Sequence, residues 1–233
     1  MDTMNPPTVS CIIPVFNCER YLAEAINSIL SQTYSPLEII VADDGSTDRT
    51  GQIIAAFGEQ VRCVRQANQN PSTARNLGIG AATGNFIAFL DADDLWHAEK
   101  LARQMERFQA RPELDYCVTN CQNFWVPELQ VEAAKFRNHR ISRPMAGYVT
   151  GTLVARRAVF AKVGLLSTTF AHGDSTEWFL RAAEHGVIAE LLPEVLMYRR
   201  LHLNNRSRLL AARSKDEYLR LLKFSLDQRR GVL

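Results

Sequence analysis

LEIIVADDGSTD, residues 37–48, decides the fold. Its first seven residues read as a strand, and a polar turn follows in which Ser46, Thr47 or Asp48 can cap a helix over Gly51 to Phe57. The same strand, turn and helix recur on either side. VSCIIPVF (9–16) is a short apolar run ending at Asn17, and residues 19–31 space Leu22, Ala25, Ile26, Ile29 and Leu30 at helical intervals. Further on, VRCVRQ (61–66) predicts a third strand, STARNLGIGAA (72–82) a helix opened by Ser72, and NFIAFLD (85–91) a fourth strand. Such alternation means βαβ units: an α/β fold with a mostly parallel central sheet and helices on both faces.

Polar residues collect where these strands end: Asn17 after the first, Asp43 and Asp44 after the second, Asn68 after the third, Asp91 to Asp94 after the fourth. In open α/β sheets that edge binds ligands. FIAFLDADDL (86–95) is the most pointed case, because a buried-looking strand runs into Asp91, Asp93 and Asp94. These carboxylates repel one another, and each one kept dry is costly unless something neutralises it. Either the turn is wet or a cation sits there. Neither G-x-x-x-x-G-K-[ST] nor G-x-G-x-x-G follows the first strand, which argues against a P-loop NTPase and a dinucleotide-binding dehydrogenase. A diphosphate bound without a glycine-rich cradle needs another counter-charge. Mg²⁺ or Mn²⁺ held by aspartates supplies it, since these hard cations take carboxylate and phosphate oxygens together.

Beyond this half, a helix is expected from Leu101 to Phe108, less regular chain over 111–147, and a strand feeding a helix in YVTGTLVARRAVFAKVG (148–164). TEWFLRAAEHG (176–186) predicts an amphipathic helix with Trp178, Phe179 and Ala182 inward and Gly186 at its end. VIAELLPEVLMYRRLH then reads as a strand interrupted near Pro193, and residues 207–229 as a charged amphipathic helix.

The 233 residues suit one large domain, with or without a small appendage, and 46% hydrophobic content is ordinary for a globular chain with a real core. A formal charge of +2 is too mild to point to nucleic acid as a partner. The five cysteines, Cys11, Cys18, Cys63, Cys117 and Cys121, lack paired CxxC spacing and read as reduced thiols, with Cys11 and Cys63 as small core residues. The first ten residues are polar and proline-containing, unlike a signal peptide, and no run is long and apolar enough for a membrane span. The expected location is cytoplasmic, with peripheral contact at the inner face of the membrane left open.

IIPVFN (12–17), VADDGSTD (41–48), the stretch from Asn68 to Gly78 and FLDADD (89–94) resemble the family 2 glycosyltransferases of the GT-A fold in order and spacing. The likeness continues through GTLVARRAVFAKVG (151–164) and EWFLRAAEHG (177–186) to RRLHLNNRS (199–207). Each motif is weak alone; the ordered set is specific. The resemblance implies inverting transfer of a sugar from a nucleotide diphosphate, with a UDP-sugar as the expected donor. Residues 1–110 would form the nucleotide-sugar half, 111–206 the acceptor half, and 207–233 a C-terminal helix and tail.

By the same resemblance, Pro14, Val15 and Phe16 pack on base and ribose, Asp44 accepts from the pyrimidine N3–H, and Asn68 and Arg75 line the nucleotide pocket. Asp43 would shape the turn. The family's DxD motif falls on Asp91, Ala92 and Asp93: Asp91 faces ribose or metal, Asp93 ligates Mn²⁺ or Mg²⁺, and Asp94 caps the following helix. His202 matches a histidine that some members place near the metal. The acceptor is a saccharide, a lipid-linked intermediate or a protein, chosen by the region from Leu114 to Phe170. The arginine-rich C-terminal helix is compatible with docking on any of these or with a homodimer.

An inverting transferase also needs a carboxylate that takes the acceptor hydroxyl proton. Relatives place it in an acidic pair six residues before the helix arginine; counting back from Arg181 lands on Ser175. Asp174 is one residue early and Glu177 two late. Three readings follow: Asp174 is the base after a local shift of the loop, Glu177 serves instead of stabilising the first helical turn, or the chain is a catalytically impaired nucleotide-sugar-binding module. Asp174 is the favoured base. A nucleotidyltransferase is the rival within enzymes, but IIPVFNCER lacks the glycine-rich loop with a basic residue that such enzymes carry.

Overall fold

The computed structural model describes residues 7–170 and 173–209. In chain order the elements are β1 (Val9–Val15), α1 (Leu22–Leu30), β2 (Leu37–Asp43), α2 (Thr50–Ala56), β3 (Arg62–Arg65) and α3 (Pro71–Ala81). There follow β4 (Phe86–Phe89), β5 (Leu95–Trp96), α4 (Lys100–Ala110), β6 (Tyr116–Trp125), α5 (Gln130–Lys135) and β7 (Met145–Ala146). β8 (Val154–Arg156), α6 (Arg157–Val163), α7 (Asp174–Glu184), β9 (Ala189–Leu201) and α8 (Arg206–Leu209) complete them. The helix expected over 207–229 lies, past Leu209, outside the described residues.

The strands form one mixed sheet in the order β3-β2-β1-β4-β8-β6-β9-β5, with β7 on the flank of β6. β3, β2, β1 and β4 run parallel, so their carboxyl ends lie along one edge. β8 is antiparallel to both β4 and β6, and β9 returns parallel to β6 over ten residue pairs. A bulge at Pro193 and Glu194 breaks the β6–β9 register, where the imino acid removes a ladder donor.

The period-two alternation of β1 sends Cys11 and Ile13 to one face and Ile12 to the other. On the first face Leu22, Ile26 and Ile29 of α1 meet Leu101 and Met105 of α4; on the second, Phe89, Phe160 and Trp178 pack together. All seven residues of β1 are buried, as a strand covered on both faces requires. Each large side chain so buried contributes about 1.5–3 kcal/mol. α3 can lie close on β1 only because residue 78 is glycine: a Cβ there would sit 2.4 Å from Ile12 Cγ2.

Several local expectations are corrected. α3 is capped by Asn70, whose Oδ1 accepts from Thr73 N at 2.9 Å with Pro71 as the first helical residue, rather than by Ser72. Cys63 is exposed, because β3 is an edge strand whose side chains mostly face solvent. The region over 111–147 contains β6, one of the two longest strands.

Candidate active site

The carboxyl edge of β1, β2 and β4 is held together by side-chain bonds between loops. Asn17 has φ +48°, a left-handed conformation that asparagine tolerates, and its Oδ1 accepts from Thr47 N at 2.8 Å. In return, Asn17 N donates to Ser46 Oγ at 3.0 Å. Asp48 accepts from Thr50 N at the start of α2 and from Glu19 N in the loop after β1, at 2.9 and 3.1 Å. The loops after β1 and β2 are therefore one unit. Pro14 and Val15 are buried beneath it, and Phe16 leaves 48% of its surface exposed at the strand end.

The two aspartates after β2 differ in their bonding. Asp43 Oδ1 accepts from Ser46 N at 2.8 Å, and its Oδ2 lies 3.4 Å from Arg65 Nε, so it shapes the turn. Buried Asp44 accepts through Oδ1 from Gln66 Nε2 at 2.7 Å and Gln69 N at 3.0 Å. Those two bonds join the end of β2 to the loop after β3, where Asn68 is exposed. Gly45, at φ +83°, lets that loop come close: a Cβ on it would sit 3.0 Å from Asn68 N.

Arg75 projects from α3 to the end of β4. Its side chain is only 8% exposed, and Nη2 lies 2.5 Å from Asp91 Oδ1. Asp91 keeps 40% of its side chain in solvent, so this ion pair reaches the surface at the carboxyl edge of the sheet. Two residues on, Asp93 Oδ2 lies 2.9 Å from His202 Nε2 and 3.3 Å from Asn205 Nδ2. Asn205 also donates to Arg200 O and accepts from His202 N, which sets the turn carrying His202. The Tyr21 ring lies 4.9 Å from the imidazole.

Asp94 is buried and does not cap a helix, since α4 begins only at Lys100. Instead its Oδ1 accepts from Arg200 N at 2.8 Å. Burial first, then the charges of Asp93 and Asp91, push its carboxyl well above the usual carboxylate range. Arg200 also bonds Asp93 O through Nε and Glu24 through Nη2, between the rings of Tyr21 and Phe124. Sequence reasoning passed over Arg200 and Asn205, although both lie in the quoted RRLHLNNRS stretch.

Among the described residues, no three His, Cys, Asp or Glu side chains form a self-contained metal cage. Asp93 and His202 do offer a carboxylate and an imidazole at one point. That pair fits a cation that completes its shell with water and phosphate oxygens, as Mg²⁺ and Mn²⁺ do.

The helix expected to carry the base is α7. Asp174 is its first residue and follows Gly173 at φ +90°; the Asp174 side chain lies outside the described part. Glu177 is buried, with both oxygens on Arg181 at 2.8 and 2.9 Å. Arg181 in turn donates to Val163 O and Leu165 O, tying α7 to the loop after α6. Glu177 therefore anchors this arginine and does not touch Asp91 or Asp93.

A model of glycosyl transferase family 2 matches residues 10–164. An uncharacterized glycosyltransferase of Nostoc sp. is 49% identical over 105 residues, covering 43% of this chain and 33% of its own length. The glycosyltransferase GlyA of Streptococcus pneumoniae is 37% identical over 123 residues, covering 50% of this chain and 17% of its own. This chain thus spans a third or less of either relative. Among solved structures, S. aureus TarS in complex with UDP-GlcNAc superposes with a TM-score of 0.71 at 20% identity, over 86% of this chain and 60% of TarS 1-349. The mannosyltransferase PcManGT from Pyrobaculum calidifontis, in complex with GDP-Man and Mn²⁺, gives 0.72 at 20% identity over 95% and 65%. The two structures show the same fold, and the sequence match covers most of the motif-bearing half: the chain belongs to glycosyl transferase family 2.

Proposed function

We propose that this chain transfers a sugar from a nucleotide diphosphate donor, with uridine as the expected base, to an acceptor hydroxyl with inversion. The observation that carries the reading is the convergence of two pairs, Arg75–Asp91 and Asp93–His202, at the edge where β1, β2 and β4 end. It is supported by family membership and by neighbours of the same fold that hold UDP-GlcNAc, or GDP-Man with Mn²⁺.

Each residue has a role in this reading. Pro14, Val15 and Phe16 form the apolar floor for base and ribose. Asp44, oriented by Gln66 and Gln69, accepts from the base. Asn68 closes the rim, and Asp91, fixed by Arg75, takes the ribose side. Asp93 and His202 hold Mn²⁺ or Mg²⁺, which when bound supplies positive charge against the leaving diphosphate. Asp174 takes the acceptor proton, because Glu177 is engaged with Arg181 and serine is too weak a base near neutral pH.

The test is a thermal-shift titration. UDP raises the melting temperature only with Mn²⁺ or Mg²⁺ present, and Asp93→Ala removes that shift; stabilisation by UDP without metal counts against the reading. Asp174→Asn keeps the shift and loses transfer. The second reading, a nucleotide-sugar-binding module without turnover, is favoured by Ser175 at the expected base position. Donor consumption that stays at the buffer rate with every acceptor would select it.

A further inference from the structure

From Ala133 to Gly173 the chain contains no aspartate or glutamate. Within that run, the excursion between β6 and β8 exposes Lys135, Arg137, Arg140 and Arg143. None of the four pairs with a carboxylate among the described residues. The acids just before them are engaged elsewhere, Glu128 with Arg20 and Glu132 with Arg208. One lysine and three arginines exposed on one excursion, with no ion pair to a carboxylate among the described residues, are an arrangement suited to an anionic ligand.

The excursion is built onto the elements that carry the site. Asn123 Nδ2 of β6 donates to Ile141 O at 2.8 Å, and β7 pairs with β6 at Asn120 and Cys121. In the β6–β9 ladder Asn123 lies opposite Arg199 and Phe124 opposite Arg200, whose guanidinium holds Asp93 O at 2.8 Å. On its other side, Tyr148 is 47% exposed and packs edge-on against Phe179 of α7 at 5.6 Å. The basic excursion thus touches both the β6–β9 pair, which His202 follows, and the helix opened by Asp174.

We propose that this excursion is the acceptor platform and that the acceptor is an oxyanion-bearing saccharide, an inference that rests on the glycosyltransferase reading. Arg137, Arg140 and Arg143 take phosphate or carboxylate groups through their guanidinium forks, and Tyr148 offers an aromatic face to a sugar ring. Arg157 and Lys162 on α6 belong to the same acid-free run but lie on a different element, so they serve as controls.

Fluorescence anisotropy on the full chain tests this with labelled oligogalacturonate, phosphorylated mannan and neutral mannan. The two anionic oligomers are expected to bind and the neutral one not. The variant R137E/R140E/R143E is expected to weaken anionic binding at least ~10-fold. R157E/K162E should leave it unchanged, and the melting temperature shows that each variant is folded. Equal binding of neutral mannan, an unaffected charge-reversal variant, or an equal loss in the α6 control overturns the proposal. So does capture by phosphatidylglycerol vesicles without binding to either anionic oligomer. The UDP shift with Mn²⁺, recorded in parallel, separates the two readings: oligomer binding failing alone sinks the platform, whereas loss of the UDP shift in the unmodified chain sinks the donor site on which it rests.

Discussion

Nε2 of His202 lies 2.9 Å from Oδ2 of Asp93, although 109 residues separate them. A histidine and a carboxylate in contact at the carboxyl edge of the sheet can share a cation. Mn²⁺ titration of the chain in the presence of UDP separates their parts. Asp93→Ala should leave no metal-dependent response, whereas His202→Ala should weaken Mn²⁺ affinity by roughly 10- to 100-fold. An unchanged affinity in His202→Ala would remove histidine from the set.

Arg75→Ala deletes a nearly buried guanidinium and its bond to Asp91. The expected cost is about 1.5–3 kcal/mol, read from urea unfolding midpoints at constant slope. Asp91→Asn should cost less stability, because Asp91 remains partly in water, yet it should weaken UDP binding as much as Arg75→Ala does. A stability loss with undiminished UDP affinity in both variants would make the pair purely architectural.

Gly78→Ala forces a Cβ to within 2.4 Å of Ile12 Cγ2 and pushes α3 off β1. Overpacking of this kind costs about 1–3 kcal/mol, and here it also displaces Arg75. Ile12→Ala combined with Gly78→Ala should cost less than the two single changes summed, since the side chain in the way has gone. Strict additivity in thermal unfolding would place the effect elsewhere.

Lys100 is fully buried, with Nζ 2.8 Å from Gln104 Oε1 and 4.2 Å from the Trp96 ring. Burial lowers its pKa from 10.5 to about 7. Between those two values the unfolded chain binds a proton that the native chain does not, so stability rises with pH across this window. Below about 7 both states are protonated and the penalty of the buried charge is fully present. Lys100→Met should therefore flatten the pH dependence of the unfolding free energy between pH 7 and pH 10, by up to a few kcal/mol. An unaltered slope would show that Lys100 keeps its proton.

The parallel half of the fold was legible because its signals are local. β1, β2, β4 and the helices between them each carry a hydrophobic period and a polar strand end within a dozen or so residues. β6 was not, since Thr119, Asn120, Gln122 and Asn123 interrupt its apolar pattern and its partner β9 begins far along the chain. Finer roles depended on partners that position alone does not name, some distant and some local. Asp94 looked like a helix cap from its position and proved to bind the backbone of Arg200. Glu177 read as an alternative base or a first-turn stabiliser and proved to pair with Arg181, four residues on along the same helix. Asn70, one residue before a proline, carried a clear capping signal that the reading gave to Ser72.

The parallel pairing of β9 with β6 has a consequence for how the protein matures on the ribosome. Asn17 with Ser46 and Thr47, Asp44 with Gln66 and Gln69, and Arg75 with Asp91 can all bond while later residues are still being synthesised. Among the described residues, the groups that bond Asp93 belong to Arg200, His202 and Asn205, which all arrive with β9 and the turn beyond it. A nascent chain therefore carries the bonded loops after β1, β2 and β3 before the residues that hold Asp93, and the Asp93–His202 contact forms as a late event of synthesis.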